Sequence, residues 1–296
     1  MLQRFIDWGE ARADVRALIL TSTRTTPGAP LDVFSDYDLI IASTDARRYQ
    51  PDDWLSDFGP LLVLYRDPVQ LIHGEESFAR ITQYENGLKI DFTLWTAELL
   101  RRFTAAAVRA GALEPDYDLG CRVLLDKDGL TAGLPAPTHR AYIPTPPDEK
   151  TYFTVIEEML HESTYAAKYI WRDDLMAQKF IFDHQMKGHD LCRMLEWYMQ
   201  IDHGWNVRAG AYGRGMKRKL PPEIWAELER TYVGPGGAEN WDALFASLAL
   251  FEKVARAVGE HLGYPFPAEL YARVLAYLRR VQALPPGAER FNWETL

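Results

Sequence analysis

The sequence is poor in several features that would each indicate a particular class of protein. Its 296 residues contain two cysteines, Cys121 and Cys192, without CxxC or histidine-ligand spacing, which argues against a disulfide framework or a zinc site. The longest apolar run, near residues 244–251, is far shorter than the roughly 20 residues that span a bilayer. The N-terminal segment carries acidic residues and no apolar core, so no signal peptide is expected. We therefore predict a cytoplasmic protein without a membrane partner.

Positive charge is also scarce. The formal net charge is −9, whereas a nucleic-acid binder usually shows a basic footprint. An acidic surface suits a cationic small molecule, although acidity also simply keeps proteins soluble. GxSxG, P-loop, GxGxxG and HExxH motifs are absent. We predict no nucleic-acid partner, and no feature of the sequence indicates an oligomeric state.

The stretch from residue 15 to residue 42 is the richest in chemistry. An apolar strand over 15–20, a Ser/Thr-rich turn ending in Arg24 and a Pro/Gly loop precede a second strand over 37–42. Asp36 and Asp38 flank the start of that strand, so they point the same way, about 7 Å apart at Cα. Such carboxylates repel by roughly 2 kcal/mol at an effective dielectric of about 20. The pattern predicts a cation between them, and Mg²⁺ fits best.

A third aspartate belongs to a predicted hairpin. Strands over 79–85 and 88–95 flank Asn86-Gly87, the strongest short hairpin signal. Asp91 lies on the polar face of the second strand. If this strand neighbours the one after Asp36, the three carboxylates form a seat for Mg²⁺ and a nucleoside triphosphate. The alternative is that Asp-x-Asp merely caps a turn, but the added strand and Asp91 favour the metal site.

The turn that follows the first predicted strand offers ligands for phosphate groups. Thr21 to Arg24 would supply hydroxyl and backbone N–H groups to phosphate oxygens. An ordinary Ser/Thr turn is the alternative, and without the aspartates it would be preferred.

The second half of the chain has a different character. Five prolines within 134–147 indicate a linker, and helical periodicity follows over 152–171, 174–201, 221–232, 239–262 and 267–283. We therefore predict an α+β protein. Its N-terminal domain, residues 1–140, has a mixed sheet with flanking helices, and its C-terminal domain, residues 148–296, is a helical bundle.

The first of these helices carries a core stripe and a separate polar stripe. The core stripe comprises Ile156, Leu160, Ser163, Ala167 and Ile170, and the polar stripe comprises Glu157, His161, Thr164 and Lys168. A solvated face is the default interpretation of the polar stripe. Alternatively, it borders a cleft in which Lys168 reaches the triphosphate and Glu157 binds a substrate amine.

Motifs in order along nearly the whole chain resemble a known family. They are Leu20 to Thr25, Asp36-Tyr37-Asp38, Lys89 to Leu94, Val123 to Asp128, Ser163-Thr164-Tyr165 with Lys168, Asp183-His184, Arg193-Met194, Trp197 and Met216-Lys217-Arg218. The chain resembles the streptomycin-type aminoglycoside 6-adenylyltransferases, within the nucleotidyltransferase superfamily of DNA polymerase β type.

The resemblance implies a fold and a reaction. The fold is a polymerase β-like nucleotidyltransferase domain followed by a helical substrate-binding domain, and the reaction is transfer of AMP from ATP to an aminoglycoside hydroxyl with Mg²⁺, releasing pyrophosphate. Asp36 and Asp38 would be metal ligands, and Asp91 a third ligand or the general base. Ser22, Thr23, Arg24 and Lys168 would bind the nucleotide, and Glu157 and Asp183 the cationic substrate.

One departure from the family pattern affects the nucleotide turn. The usual Gly-Ser-Arg is Ser22-Thr23-Arg24 here. Glycine permits a positive φ or a close backbone approach to phosphate, which a serine side chain would crowd. Two alternatives therefore stay open: a catalytically weakened relative that senses nucleotide or drug, and an active transferase with another acceptor.

Overall fold

The computed structural model describes residues 1–291. The chain divides into two compact units, one over Met1–Tyr142 and the other from Ile143 onward. The division falls inside the proline-rich segment 134–147.

The first unit is built on a seven-stranded mixed sheet. Its strands are β1 (Val15–Thr21), β2 (Tyr37–Ser43), β3 (Leu61–Arg66), β4 (Gln70–Ile72), β5 (Glu75–Tyr84), β6 (Lys89–Thr96) and β7 (Cys121–Asp126). The spatial order is β3-β5-β6-β2-β1-β7, and β4 pairs with β5. The β2–β6 pair is parallel, whereas β1–β2, β1–β7, β3–β5, β4–β5 and β5–β6 are antiparallel.

Apolar side chains cover both faces of this sheet. One face carries α1 (Leu2–Glu10), which packs in a cluster with Leu39 and Phe92. The other face carries α2 (Ala97–Ala110), whose apolar residues pack in a cluster with Ile40. The strands therefore alternate between two cores, as expected for a sheet with helices on both sides.

Two local sequence signals shape this unit. The predicted β5–β6 hairpin turns at Asn86-Gly87, where Gly87 has φ 85°. The Thr96 hydroxyl caps α2 by accepting a hydrogen bond from the Leu99 N–H at 2.9 Å. Helix α2 ends at Gly111, which adopts the left-handed conformation. The unit also contains α3 (Pro115–Asp118) and 3₁₀ turns over Ser22–Thr25, Ala46–Tyr49 and Asp53–Phe58.

The second unit is helical within the described residues. Its helices are α4 (Glu149–Trp171), α5 (Leu175–Lys179), α6 (Cys192–His203), α7 (Pro222–Glu229), α8 (Gly237–Leu262) and α9 (Ala268–Ala283). Short 3₁₀ turns lie at Ala211–Gly213 and Met216–Arg218. The predicted core stripe of α4 is buried at all five positions, Ile156, Leu160, Ser163, Ala167 and Ile170.

The predicted single helix over 174–201 differs in geometry. Residues Phe180–Leu191 form a π-helical segment between α5 and α6. A π-helix bonds residue i to i+5 instead of i+4 and is frequent at functional sites. An apolar period of 3.6 residues predicts the helix but does not reveal the wider turn.

The predicted fold class is confirmed: a mixed sheet with flanking helices, followed by a helical domain. None of the helices within residues 1–291 combines the length and apolar character needed to cross a membrane.

Candidate functional site

Three aspartates from two parallel strands meet at one edge of the first unit. Asp36 precedes β2, Asp38 lies within it, and Asp38 and Asp91 are register partners in the β2–β6 pair. Asp36, Asp38 and Asp91 each offer a carboxylate oxygen, and these oxygens all lie within 4.8 Å of one another. The juxtaposition follows from alternation: Leu39 and Phe92 belong to one core, so Asp38 and Asp91 share the opposite face.

A lysine ammonium lies between two of these carboxylates. Lys89 Nζ is 2.6 Å from Asp91 Oδ2 and 3.1 Å from Asp36 Oδ2. The repulsion expected among the carboxylates is therefore offset in part by a side chain of the same site. This residue was missed as a site residue, although alternation along β6 places it on the same face as Asp91.

The surroundings raise the proton affinity of the buried carboxylates. Burial, reinforced by Asp36 and Asp91, raises the pKa of Asp38 to about 6, against the opposing effects of Lys89 and Ser22. Burial also raises the pKa of Asp91, with Lys89 opposing it. Asp91 Oδ1 is buried and has no hydrogen-bond partner within residues 1–291. A buried acceptor of this kind can accept a metal ion or a proton.

Ser22 adopts the conformation that glycine favours. Its φ is 64°, and its N–H donates to the Gly120 carbonyl at 3.0 Å. Ser22 is also one of the groups that lower the pKa of Asp38, so its side chain lies near that carboxylate. A positive φ is thus present at position 22, where the family has glycine, and the serine side chain belongs to the site.

Arg24 holds the chain that leads into β2. Its guanidinium donates to the Asp36 carbonyl at 2.8 Å and to the Ser35 carbonyl at 2.6 Å, and it stacks 3.7 Å from the ring centroid of Tyr37. Arg24 therefore positions Asp36 through the main chain. Its neighbour Thr23 is half-buried in the 3₁₀ turn.

The predicted residues of α4 lie in the second unit. Glu157 is exposed and Lys168 half-buried. The Lys168 ammonium lies 4.2 Å from the ring centroid of Tyr165 and 4.6 Å from that of Tyr169. Lys168 also lines a cavity of about 350 Å³ together with Arg172, Tyr277 and Arg290, among others.

Asp183 has a structural partner. It forms ion pairs with Lys187 and, at 3.5 Å, with Lys179. The Lys187 side chain is fully buried, donates to the Thr231 carbonyl at 2.8 Å and lies 4.0 Å from the Phe182 ring centroid. Burial lowers the pKa of Lys187, and Asp183 opposes that shift. Asp183 is therefore the counterion of a buried lysine.

The sheet, the three strand-borne carboxylates and the adjoining turn define a nucleotidyltransferase. A family model described as streptomycin adenylyltransferase matches residues 1–281. The chain belongs to this family, which confirms the resemblance found in the sequence.

Curated relatives match over most of their length. Aminoglycoside 6-adenylyltransferase of Bacillus subtilis (strain 168) is 30% identical over 273 residues, covering 90% of this chain and 92% of the relative. The enzyme of the same name from Campylobacter jejuni is 28% identical, covering 86% of this chain and 85% of the relative. That from Staphylococcus aureus is 25% identical, covering 86% of this chain and 88% of the relative. A crystal structure of an aminoglycoside 6-adenyltransferase from Bacillus subtilis has a TM-score of 0.47 at 24% identity, covering 96% of this chain and 98% of that one.

Lys89→Met tests the role of the ammonium between Asp36 and Asp91. Without divalent cations, we expect the variant to be less stable than the unmodified protein by about 1 kcal/mol, because the ion pairs are half-exposed. Mg²⁺ should raise the melting temperature of the variant more than that of the unmodified protein. Arg109→Met, an exposed change on α2, is the control, and equal Mg²⁺ responses in all three proteins would contradict the assignment.

Ser22→Gly and Ser22→Ala together separate backbone strain from the lost hydroxyl. Both remove the side-chain hydroxyl, but only alanine keeps a Cβ at positive φ. We expect Ser22→Gly to be more stable than Ser22→Ala by about 1 kcal/mol, because the left-handed conformation disfavours a Cβ. Urea unfolding measures the difference. An alanine variant as stable as the glycine variant would show that Ser22 is not strained.

Asp183→Asn tests the buried ion pair. Removing the carboxylate leaves the Lys187 ammonium without its counterion, so the free energy of unfolding should fall by about 2 kcal/mol. Thermal unfolding measures this, with exposed Asp202→Asn as the matched control. An unchanged melting temperature would mean that the pair contributes nothing to stability.

Proposed function

We propose that this protein transfers AMP from ATP to a hydroxyl of an aminoglycoside such as streptomycin, with Mg²⁺, and releases pyrophosphate. The observation that carries the proposal is the convergence of Asp36, Asp38 and Asp91 within 4.8 Å of one another. The names of the curated relatives support the acceptor class. The reaction belongs in the cytoplasm, where ATP is supplied, and by modifying the antibiotic chemically it would confer resistance.

The donor set fits Mg²⁺. This ion prefers one or two protein carboxylates together with substrate phosphates, and Asp36, Asp38 and Asp91 offer carboxylate oxygens. The unpartnered, buried Asp91 Oδ1 supports the fit, because a buried acceptor needs a ligand. When bound, Mg²⁺ neutralises phosphate charge and orients the phosphorus for in-line attack.

Asp91 is the proposed general base. Its raised pKa brings its proton affinity closer to that required at neutral pH. Lys89 holds Asp91 Oδ2, which leaves Oδ1 either to bind Mg²⁺ or to accept the proton of the acceptor hydroxyl. Lys89 thereby fixes the orientation of the carboxylate.

The nucleotide contacts are proposed for Ser22, Thr23, Arg24 and Lys168. The first three lie in the 3₁₀ turn that follows β1. Strand β1 pairs with β2, which carries Asp38. Arg24 contributes mainly by positioning Asp36, since two of its groups already donate to main-chain carbonyls. Lys168 is a cation in an aromatic setting, which suits an anionic, ring-bearing ligand.

The acceptor contacts are proposed for Glu157 and Asp183. Glu157 is exposed on α4 and available to an ammonium group. Asp183 is one-third exposed and already balances two lysines, so it accepts hydrogen bonds from the substrate with its charge largely neutralised.

Pyrophosphate release tests the reaction. The protein with MgATP and streptomycin should release pyrophosphate and give an adenylylated product, detected by its mass. Asp38→Asn should reduce the rate by at least about 100-fold, because the site loses a carboxylate ligand of the Mg²⁺ that would neutralise the phosphate charge. Asp45→Asn, an exposed aspartate just after β2, is the matched control and should keep full activity.

The alternatives give different results in the same assay. Binding of ATP or drug by calorimetry without any product would support a sensor and overturn the transferase. Release of pyrophosphate with another acceptor but with no aminoglycoside would retain the transferase and overturn the acceptor. The positive φ of Ser22 is the observation behind the sensor, whereas Ser22 lowers the pKa of Asp38 and so favours the charged carboxylate that an operating site needs.

A further inference from the structure

A second group of metal-ligating side chains lies wholly within the second unit. Glu158 on α4 and the adjacent His189 and Asp190 on the π-helical segment each offer one ligand atom, and these atoms lie within 4.8 Å of one another. The π-helical segment packs along α4, so the cluster joins two elements that are distant in sequence.

Asp190 carries the observation that points to a ligand. It is only 2% exposed, and its Oδ1 lies 2.8 Å from His189 Nδ1. Its other oxygen, Oδ2, is buried and has no hydrogen-bond partner within the described part of the chain. A buried carboxylate oxygen without a donor is unfavourable, since folding removes its water without replacing it.

The charges around Asp190 favour a cation. Glu162 lies one turn after Glu158 on α4, and its Oε2 is also buried and unpartnered among residues 1–291. Burial, with Glu158 and Glu162 contributing, raises the pKa of Asp190 to about 6, while His189 opposes the shift. The nearby cation is Arg193, whose Nη2 lies 3.3 Å from His189 Nε2.

We propose that Glu158, His189 and Asp190 bind a divalent transition-metal ion of the Zn²⁺ type. Imidazole with carboxylates suits Zn²⁺ and its neighbours in the series, whereas Mg²⁺ takes oxygen ligands. The ion takes the place of the hydrogen bond between His189 Nδ1 and Asp190 Oδ1, and the proton of the neutral imidazole moves to Nε2, which then no longer accepts from Arg193. Exposed Glu158 and His189 give access from solvent, and water completes the coordination. The ion would fasten the π-helical segment to α4.

Calorimetric titration of the full chain with Zn²⁺ tests the proposal. Excess Mg²⁺ is present to fill the Asp36, Asp38 and Asp91 site. We expect one equivalent of Zn²⁺ to bind, and His189→Gln to weaken it by at least about tenfold. Zn²⁺ should also raise the melting temperature of the unmodified protein but not of His189→Gln.

Matched variants separate this site from other effects. His184→Gln on the same segment and Glu157→Gln on α4 should keep the Zn²⁺ equivalent, as should Asp38→Asn in the nucleotide site. His189 is exposed, so His189→Gln is expected to fold, and circular dichroism checks this. With Co²⁺ as the probe, a visible absorption band that is lost in His189→Gln is the second readout. No Zn²⁺ equivalent in the unmodified protein, or an equivalent bound by His189→Gln with undiminished affinity, would overturn the proposal.

Discussion

Three like charges held on one face of a sheet impose the main constraint on the first unit. Carboxylate oxygens within 4.8 Å of one another repel by about 3 kcal/mol or more at an effective dielectric of about 20. Lys89 offsets part of this repulsion from the same strand as Asp91. The sheet must supply the rest, because Asp38 is held opposite Asp91 by the hydrogen bonds of a parallel strand pair. A bound cation would relieve the same repulsion.

The two apolar cores keep the strands in that register. Leu39 and Phe92 are register partners packed in one core, and Ile40 belongs to the other. A slip of one residue would turn these side chains to the wrong face and bury the aspartates. The site is therefore maintained by the apolar packing of the residues next to the aspartates along each strand, and this packing outweighs the repulsion that it imposes.

Local sequence signals made much of this arrangement predictable. The features that depend on pairing between distant strands could not be predicted in the same way. The Asn86-Gly87 turn and the Thr96 cap were readable because each depends on neighbouring residues. Alternation placed Asp91 on a polar face, but its approach to Asp38 required β2 and β6 to be neighbours, which strand patterns alone do not dictate. The π-helical segment and the burial of Lys187 depend on packing in the second unit. An apolar period of 3.6 residues along the sequence predicts neither of them.

The second unit contains two buried charged groups that are satisfied differently. Lys187 has a carboxylate, a carbonyl and two aromatic rings around its ammonium, so its desolvation is met from within the fold. Asp190 has one imidazole contact and two further acids nearby, so its surroundings add to its desolvation. Both belong to the same π-helical segment, so one short element holds a buried cation beside its counterion and a buried anion beside further acids. Within residues 1–291 no hydrogen-bond donor reaches Asp190 Oδ2, and a divalent cation bound at this oxygen would offset its desolvation.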